Sequence, residues 1–361
     1  MFCNKVVNEI SVVYSCIHRI LDGYTGSIVV RIYKTFIKPI LFQIPAERAH
    51  NLAKVLFKIG LLWEMFKFFL SFKDKALNTY IGNVCIDNPV GLAAGYDKDC
   101  VYIKPLSNIG FGYIIGGTVL LKPQPGNPKP RIARNPETLS MINSLGFPSM
   151  GLNEVENNLR NITDINIPIF ASISGLSIED FLECFKRLQP ITSGIELNIS
   201  SPNTSGIRIF QEANNLENLL STLQEVKTKP VFLKIPMYFD ENERRAVMTM
   251  VDLCVKYSVD GVTASNTWPR EDPRLAVGRG GLSGKPLFQH TLRIVKDIRE
   301  HSGEKFIINA CGGIFTGEDA LDALAAGANT VQIYTGFIYE GPSVVRNINK
   351  KLAESTKRPN T

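Results

Sequence analysis

Histidine is scarce in this sequence, and its cysteines follow no regular spacing. Four histidines occur in 361 residues, and the seven cysteines are odd in number, scattered, and without a Cys-x-x-Cys pair. That spacing fits neither a disulfide framework nor a zinc site, and so few imidazoles disfavour a histidine metal centre. We therefore expect no metal ion and a reducing compartment.

Long apolar runs and a secretory leader are also missing. No stretch reaches the roughly 18 uninterrupted apolar residues of a membrane-spanning helix, since Arg19 interrupts one candidate and Glu64 another. Residues 1–30 contain no short apolar core that ends in a small-residue cleavage site, and no Arg- and Ser-rich transit pattern. A membrane-spanning or secreted protein is thus not indicated.

Positive charge is concentrated at the N-terminus. The net charge is +6, and residues 1–73 carry ten basic against four acidic side chains, so the remainder is neutral overall. No basic run interleaves with base-stacking aromatics, which speaks against nucleic acid. A basic segment rich in Leu, Ile, Phe and Val is typical of a surface that docks on an anionic membrane, with a solvated face of a helical cap as the alternative.

From residue 89 onward, short apolar runs typical of strands alternate with helix-length segments. The predicted strands span 90–95, 113–118, 169–175, 194–200, 231–236, 261–266, 305–310 and 330–335. Eight such units close into a (β/α)8 TIM barrel more naturally than they extend into a doubly wound sheet, which is the alternative.

The rest of the chain is divided around this barrel. We predict an extension at 1–32, a small N-terminal helical domain at 33–75 and the barrel at 76–361, with helices at 46–59 and 62–72. Two connections, 119–150 and 267–286, are longer than barrel closure needs. Both follow the carboxyl ends of strands, where barrel active sites are built.

The ends of the predicted strands are rich in amides, glycines and lysines. Four asparagines that converge there suit a planar substrate edged by alternating N–H and C=O groups, although asparagine also simply turns loops. Glycines after the seventh and eighth strands suit a phosphate cradle. Lys98 and Lys234 are expected to offset negative charge on a cofactor or substrate, unless Lys234 only reaches the rim.

Five stretches of the sequence resemble the dihydroorotate dehydrogenase family. They are Asn-Pro-Val-Gly-Leu-Ala-Ala-Gly at 88–95, Lys-Pro-Gln-Pro-Gly-Asn-Pro at 122–128, and the segments at 198–204, 280–286 and 331–334. The resemblance covers 33–355. It implies FMN on a (β/α)8 barrel, oxidising dihydroorotate to orotate in pyrimidine synthesis.

Two features are similar to the membrane-associated, quinone-reducing branch of that family. Ser201 stands where soluble members have cysteine, and Ile-Pro-Ala-Glu-Arg-Ala-His at 44–50 resembles the helical domain that forms the quinone tunnel. The resemblance implies a membrane quinone and a peripheral position on the cytoplasmic face of a bacterial inner membrane, with the mitochondrial inner membrane as the alternative.

Other acceptors and another class stay open. Fumarate or another soluble acceptor is possible with the same flavin barrel, while a nicotinamide cofactor is disfavoured because no Gly-x-Gly-x-x-Gly opens a βαβ unit. A barrel isomerase or ligand-binding protein would leave the lysine and the asparagine cluster unexplained.

The resemblance also implies roles for individual residues. Ser201 would remove the proton from C5 of the substrate, with Thr204 and Phe147 on its water path. The substrate would be bound by Lys98, Asn143, Asn198, Asn203, Asn266 and Thr267. The cofactor would be bound by Ala94, Gly95, Thr118, Ser172, Lys234, Ser265, Gly284, Gly313, Tyr334 and Thr335, and the quinone by His50 and Arg134.

The third predicted strand departs from the quinone branch. That branch has an Asn-x-Gly-Lys-Asn stretch with a flavin-contacting asparagine, whereas Phe-Ala-Ser-Ile-Ser-Gly at 170–175 looks like the soluble branch. Ser172 would replace the contact, or the contact is lost. The segment at 143–148 mixes the two patterns as well.

Overall fold

The computed structural model describes residues 31–201 and 206–357, which contain fourteen strands and twelve α-helices. The strands are β1 (Thr79–Ile81), β2 (Val84–Ile86), β3 (Val90–Leu92), β4 (Tyr113–Val119), β5 (Ile132–Asn135), β6 (Ser140–Asn143), β7 (Ile169–Ile173), β8 (Gly194–Asn198), β9 (Val231–Lys234), β10 (Gly261–Ala264), β11 (Trp268–Glu271), β12 (Arg279–Gly284), β13 (Ile307–Cys311) and β14 (Thr330–Ile333). The predicted extension at 1–32 lies almost entirely outside the described residues.

Helices precede the barrel and alternate with its strands. They are α1 (Lys38–Gln43), α2 (Ala46–Phe57), α3 (Gly60–Leu70), α4 (Ile103–Ser107), α5 (Leu152–Arg160), α6 (Ile178–Leu188), α7 (Ala213–Gln224), α8 (Glu241–Lys256), α9 (Phe288–Ser302), α10 (Gly317–Ala325), α11 (Thr335–Glu340) and α12 (Val344–Thr356). A π-helical turn, Tyr33–Ile37, runs into α1. Several helices begin at a capping side chain, such as Asp240 before α8 and Thr316 before α10, which supplies acceptors for the unpaired N–H groups of the first turn.

Eight parallel strands close the barrel in the order β10, β13, β14, β3, β4, β7, β8, β9. The predicted TIM barrel is therefore confirmed, and the doubly wound alternative is wrong. Several predicted strands end two or three residues early; β10, for example, ends at Ala264 rather than at residue 266. The chain bends there, and the residues just beyond the strand turn into the mouth of the barrel.

The two long connections form a second sheet above the mouth. Strands β5, β6, β12 and β11 pair antiparallel, with Asn143 opposite Gly281 across the β6–β12 pair. The sequence did not indicate these strands, because each has four to six residues, and β12, with three glycines, lacks an alternating apolar pattern. We refer to them as the mouth sheet.

The N-terminal helices present an apolar surface to solvent. Of the eighteen large apolar side chains that are exposed among the described residues, eleven lie between 32 and 68. We call them the apolar face: Ile32, Phe36, Ile37, Ile40, Leu52, Val55, Leu56, Ile59, Met65, Phe66 and Phe68. No helix in the described part of the chain combines the length and hydropathy needed to cross a bilayer.

The mouth sheet fastens these helices to the barrel. Arg131 Nε donates to Glu47 Oε1 on α2 at 2.9 Å. Arg134 donates to the carbonyl oxygens of Leu41 and Ile44, which flank the turn between α1 and α2. The N-terminal helices are thus hydrogen-bonded to the sheet that roofs the mouth.

Candidate active site

One cavity opens at the carboxyl end of the barrel strands, and it encloses about 1010 Å³ when its mouth is included. Sixteen residues predicted for the site line it: Ala94, Gly95, Lys98, Thr118, Asn143, Phe147, Asn198, Ser201, Lys234, Ser265, Asn266, Thr267, Gly284, Gly313, Tyr334 and Thr335. Asn203 and Thr204 lie outside the described residues.

The asparagines in the wall are held by a chain of hydrogen bonds. Asn266 Nδ2 donates to Asn198 Oδ1 at 3.3 Å and to Ser200 Oγ at 3.0 Å. Asn198 Nδ2 donates in turn to Thr118 Oγ1 at 2.9 Å. Because each amide is already oriented, a ligand that binds them meets donors and acceptors at fixed positions.

Ser172 ends this chain and does not line the cavity. Its hydroxyl lies 3.1 Å from Thr118 Oγ1, and the residue is fully buried. A serine is too short to pass Thr118, so the structure places it behind the wall instead of in it. Ser172 is thus not among the residues that line the cavity, and its predicted contact with the cofactor stays a prediction.

Glycines at two turns let the backbone approach the cavity closely. Gly313 has φ +75°, and a Cβ there would come within 2.5 Å of Phe288 N. Gly284 has φ +104°, and a Cβ there would come within 2.4 Å of the Leu139 carbonyl oxygen. Both positions exclude a side chain, as a cradle for a phosphate group requires.

Lys98 lies in the wall and donates to the Gly95 carbonyl oxygen. Burial, together with nearby Lys54, lowers the pKa of its ammonium to about 8. Next to it, burial raises the pKa of the Asp97 carboxyl to about 6, although that carboxylate accepts from the backbone N–H groups of Val101 and Tyr102. Lys98 is therefore a cation at neutral pH that gains from a negatively charged ligand.

Lys234 lies deeper, with its side chain 7% exposed. Its Nζ is 3.9 Å from Glu196 Oε1, and the fully buried Glu196 accepts at Oε2 from Thr263 Oγ1 at 2.8 Å. Sequence reasoning missed Glu196. The available signal was its place two residues before Asn198 on the same strand, which puts both side chains on the inner face of the barrel.

Ser201, the predicted base, is in the cavity wall and 8% exposed. Phe147 also lines the cavity, from the loop after β6, and has a left-handed backbone with φ +51°. Both side chains therefore border the space that the asparagines enclose. A buried hydroxyl beside an apolar ring is screened from bulk water, which a serine needs if it is to take a proton.

The two predicted quinone residues lie outside this wall, near the N-terminal helices. The His50 ring, on α2, is 6.4 Å from the Tyr96 ring, which is 5.7 Å from the ring of Tyr334 in the wall. Burial, with nearby lysines and Arg131, lowers the pKa of His50 to about 3, so its imidazole is neutral. Arg134, on β5, has its guanidinium 4.5 Å from the centre of the Phe42 ring.

A closed barrel whose mouth combines a glycine cradle, oriented amides and two lysines is an enzyme of the TIM-barrel class. The sequence profile described as dihydroorotate dehydrogenase matches residues 76–355. The chain belongs to the dihydroorotate dehydrogenase family, and so to the oxidoreductases that act on CH–CH bonds.

Curated relatives match most of the chain. A dihydroorotate dehydrogenase (quinone) of Chloroflexus aurantiacus is 36% identical over 355 residues, covering 90% of this chain and 97% of the relative. One from Coxiella burnetii is 37% identical over 340 residues, covering 89% and 96%. The ligand-free crystal structure of the Eimeria tenella dihydroorotate dehydrogenase is 29% identical, with a TM-score of 0.76, covering 86% of this chain and 94% of that one.

Proposed function

We propose that this chain oxidises dihydroorotate to orotate with bound FMN and passes the electrons to a membrane quinone. One observation carries the proposal: Ser201, Lys98, three asparagines and the glycine cradle line a single cavity at the barrel mouth. The family and the quinone-dependent relatives support the same reaction.

The residues present fit FMN. Gly284 and Gly313 border a space that no side chain of their own fills, and Thr335 lines it beside them, which suits the phosphate. Lys234 offers a buried positive charge. When bound, FMN supplies a two-electron acceptor for the hydride that leaves C6 of the substrate. Lys234 then provides a fixed cation where negative charge develops.

The amides and Lys98 would bind the substrate. The paired asparagines Asn198 and Asn266 present donor and acceptor atoms to a planar ring, and the Lys98 ammonium attracts its carboxylate. Ser201 removes the proton from C5. The hydroxyl is a weak base by itself, so we assign it help from Thr204 and Phe147, which exclude or order water around it.

We propose that the helices at 33–75 form a quinone and membrane domain beside the barrel at 76–361. The quinone would reach the cavity through these helices. The apolar face gives these helices affinity for lipid, and the basic side chains of this region suit an anionic surface. Neutral His50 and the tyrosines Tyr96 and Tyr334 connect that side to the cavity wall. We place the protein peripherally, on the cytoplasmic face of a bacterial inner membrane.

The decisive experiment is anaerobic. The purified protein should be yellow, lose its flavin absorbance on addition of dihydroorotate, and regain it with a quinone faster than with fumarate or a nicotinamide. A colourless protein would contradict the FMN assignment. If fumarate restored the absorbance quickly and a quinone did not, the assignment of dihydroorotate as substrate would stand, and the assignment of a quinone as electron acceptor would be wrong.

A further inference from the structure

Glu196 is a buried carboxylate to which the proposed reaction gives no role. It lies on β8 with its side chain 0% exposed, and its Oε2 accepts a hydrogen bond from Thr263 Oγ1 on β10 at 2.8 Å. Within the described part of the chain, no donor lies within hydrogen-bonding distance of its Oε1. A half-satisfied carboxylate in a barrel interior is costly, and it calls for a compensating cation.

That cation is Lys234, whose Nζ lies 3.9 Å from Oε1. The separation is too long for a hydrogen bond, yet the interaction between two charges is strong at this distance inside a protein. Lys234 also lines the cavity, whereas Glu196 does not. The ammonium therefore lies between the carboxylate and the space where a ligand binds.

Few titratable groups face this lysine. β8 contributes Glu196 and β13 contributes Cys311, while the neighbour on β10 is the neutral hydroxyl of Thr263. Burial is the largest influence on the pKa of Lys234 and lowers it, Glu196 opposes burial most strongly among the neighbouring groups, and with Cys311 included the pKa is raised overall. Burial raises the pKa of the Cys311 thiol, so that group is uncharged at neutral pH.

We propose that Glu196 is a positioning residue that keeps Lys234 protonated and aimed at the cofactor. The carboxylate acts through the lysine and touches no ligand itself. Because Lys234 is already protonated, it takes up no proton when negative charge develops in the cavity. This inference rests on the proposed function, because it assumes that the ligand beside Lys234 is a flavin.

The test is the pH dependence of the midpoint potential of the bound flavin, measured by spectroelectrochemistry between about pH 6 and pH 10. In Glu196→Gln, the buried lysine loses its partner and becomes neutral over part of this range. Reduction then takes up one additional proton per two electrons, and the potential falls more steeply with pH than in the parent. Glu196→Asp keeps the charge and should restore most of the parental slope.

Lys234→Met supplies the control, because it removes the titrating group. Adding Glu196→Gln to Lys234→Met should leave the slope unchanged, whereas a general structural effect of Glu196 would persist in that background. A parental slope in Glu196→Gln, or a steeper slope that survives Lys234→Met, would overturn the proposal. If Glu196→Gln does not retain flavin, the parent and Lys234→Met decide: their slopes should be equal, and a steeper slope in the parent would mean that the lysine takes up a proton on reduction and would refute the role.

Failure of this inference is distinguishable from failure of the proposed function. A colourless protein that takes up no FMN would contradict the function. A yellow protein with identical slopes in all variants would contradict only the role of Glu196.

Discussion

The barrel mouth and the N-terminal helices differ in where they place polar and apolar side chains. In the mouth, amides, hydroxyls and two lysines are drawn into a cavity and held by hydrogen bonds or a nearby charge. On the helices, apolar side chains such as Val55 and Met65 face outward, 58% and 66% exposed. Each arrangement is unfavourable alone, and each is explained by something that binds there.

Under the proposed function, this difference would separate two half-reactions in space. Substrate chemistry needs preorganised polar groups that are shielded from water, while a lipid-soluble acceptor needs an apolar entry. Changes in one region should therefore spare the other. The following predictions test that independence, beginning with the largest expected effect.

Replacing Ser201 by alanine should nearly abolish flavin reduction. The loss of the base should slow anaerobic bleaching by dihydroorotate by about 10²- to 10⁴-fold, as measured by stopped flow. Ser177→Ala is the matched control, because Ser177 only caps α6 and should cost about 1 kcal/mol of stability with normal bleaching. Normal bleaching in Ser201→Ala would remove Ser201 from the mechanism.

Replacing Gly313 by alanine should weaken cofactor binding. The added Cβ meets Phe288 N at 2.5 Å in a left-handed backbone, so the turn must shift away from the cradle. We expect an affinity for FMN reduced about 10- to 100-fold, corresponding to strain of about 1–3 kcal/mol, in a fluorescence titration. Gly278→Ala has a similar φ of +70° but open space, and it should bind FMN normally.

Adding charge to the apolar face should impair only the acceptor side. Val55→Glu with Met65→Glu should lower binding to anionic vesicles about tenfold or more, because each change removes roughly 1.5 kcal/mol or more of apolar burial. Reduction of a long-chain quinone should fall with it, while bleaching by dihydroorotate stays constant. Val255→Glu, equally exposed at 56% but on α8, should change neither. Equal losses in both variants would contradict a specific docking surface.

The smallest effect expected is on the pH dependence of substrate binding. The Lys98 ammonium, with its pKa lowered to about 8, is present below that pH and is lost above it. Affinity for the carboxylate substrate should therefore be constant in the acidic range and weaken as the pH rises past about 8, seen as a rising KM. The Lys98→Gln variant should bind the substrate weakly at all pH values. If its KM still rises above about pH 8, the titrating group is not Lys98.

Much of this comparison was predictable from the sequence, for physical reasons that differ by residue. The barrel strands are continuous apolar runs, which is how a strand buried on both faces must look. Gly313 and Lys234 were identified because each residue type is unusual at its position: a glycine directly after a strand and a lysine inside a buried one both suggest a functional reason. The family motifs supplied the assignments of residue roles.

Other features needed coordinates. Glu196 gives only an indirect signal, its spacing of two residues from Asn198, and its contact with Lys234 on the next strand becomes visible only in the closed barrel. The mouth sheet was missed because its pairing depends on segments far apart in sequence, such as β6 and β12. The resemblance assigned Ser172 to a cofactor-binding position. In the structure its hydroxyl lies 3.1 Å from Thr118 Oγ1, behind the cavity wall, which the sequence does not indicate.

The pairing of β6 with β12 has a consequence for the order of folding. Asn143 cannot meet Gly281 until the intervening residues, which include four barrel strands, have been synthesised and have folded. During synthesis, the apolar N-terminal helices therefore emerge long before the mouth sheet, to which they are hydrogen-bonded, has formed. From that stage on the nascent chain exposes a surface suited to lipid, and early contact with a bilayer would protect it from aggregation.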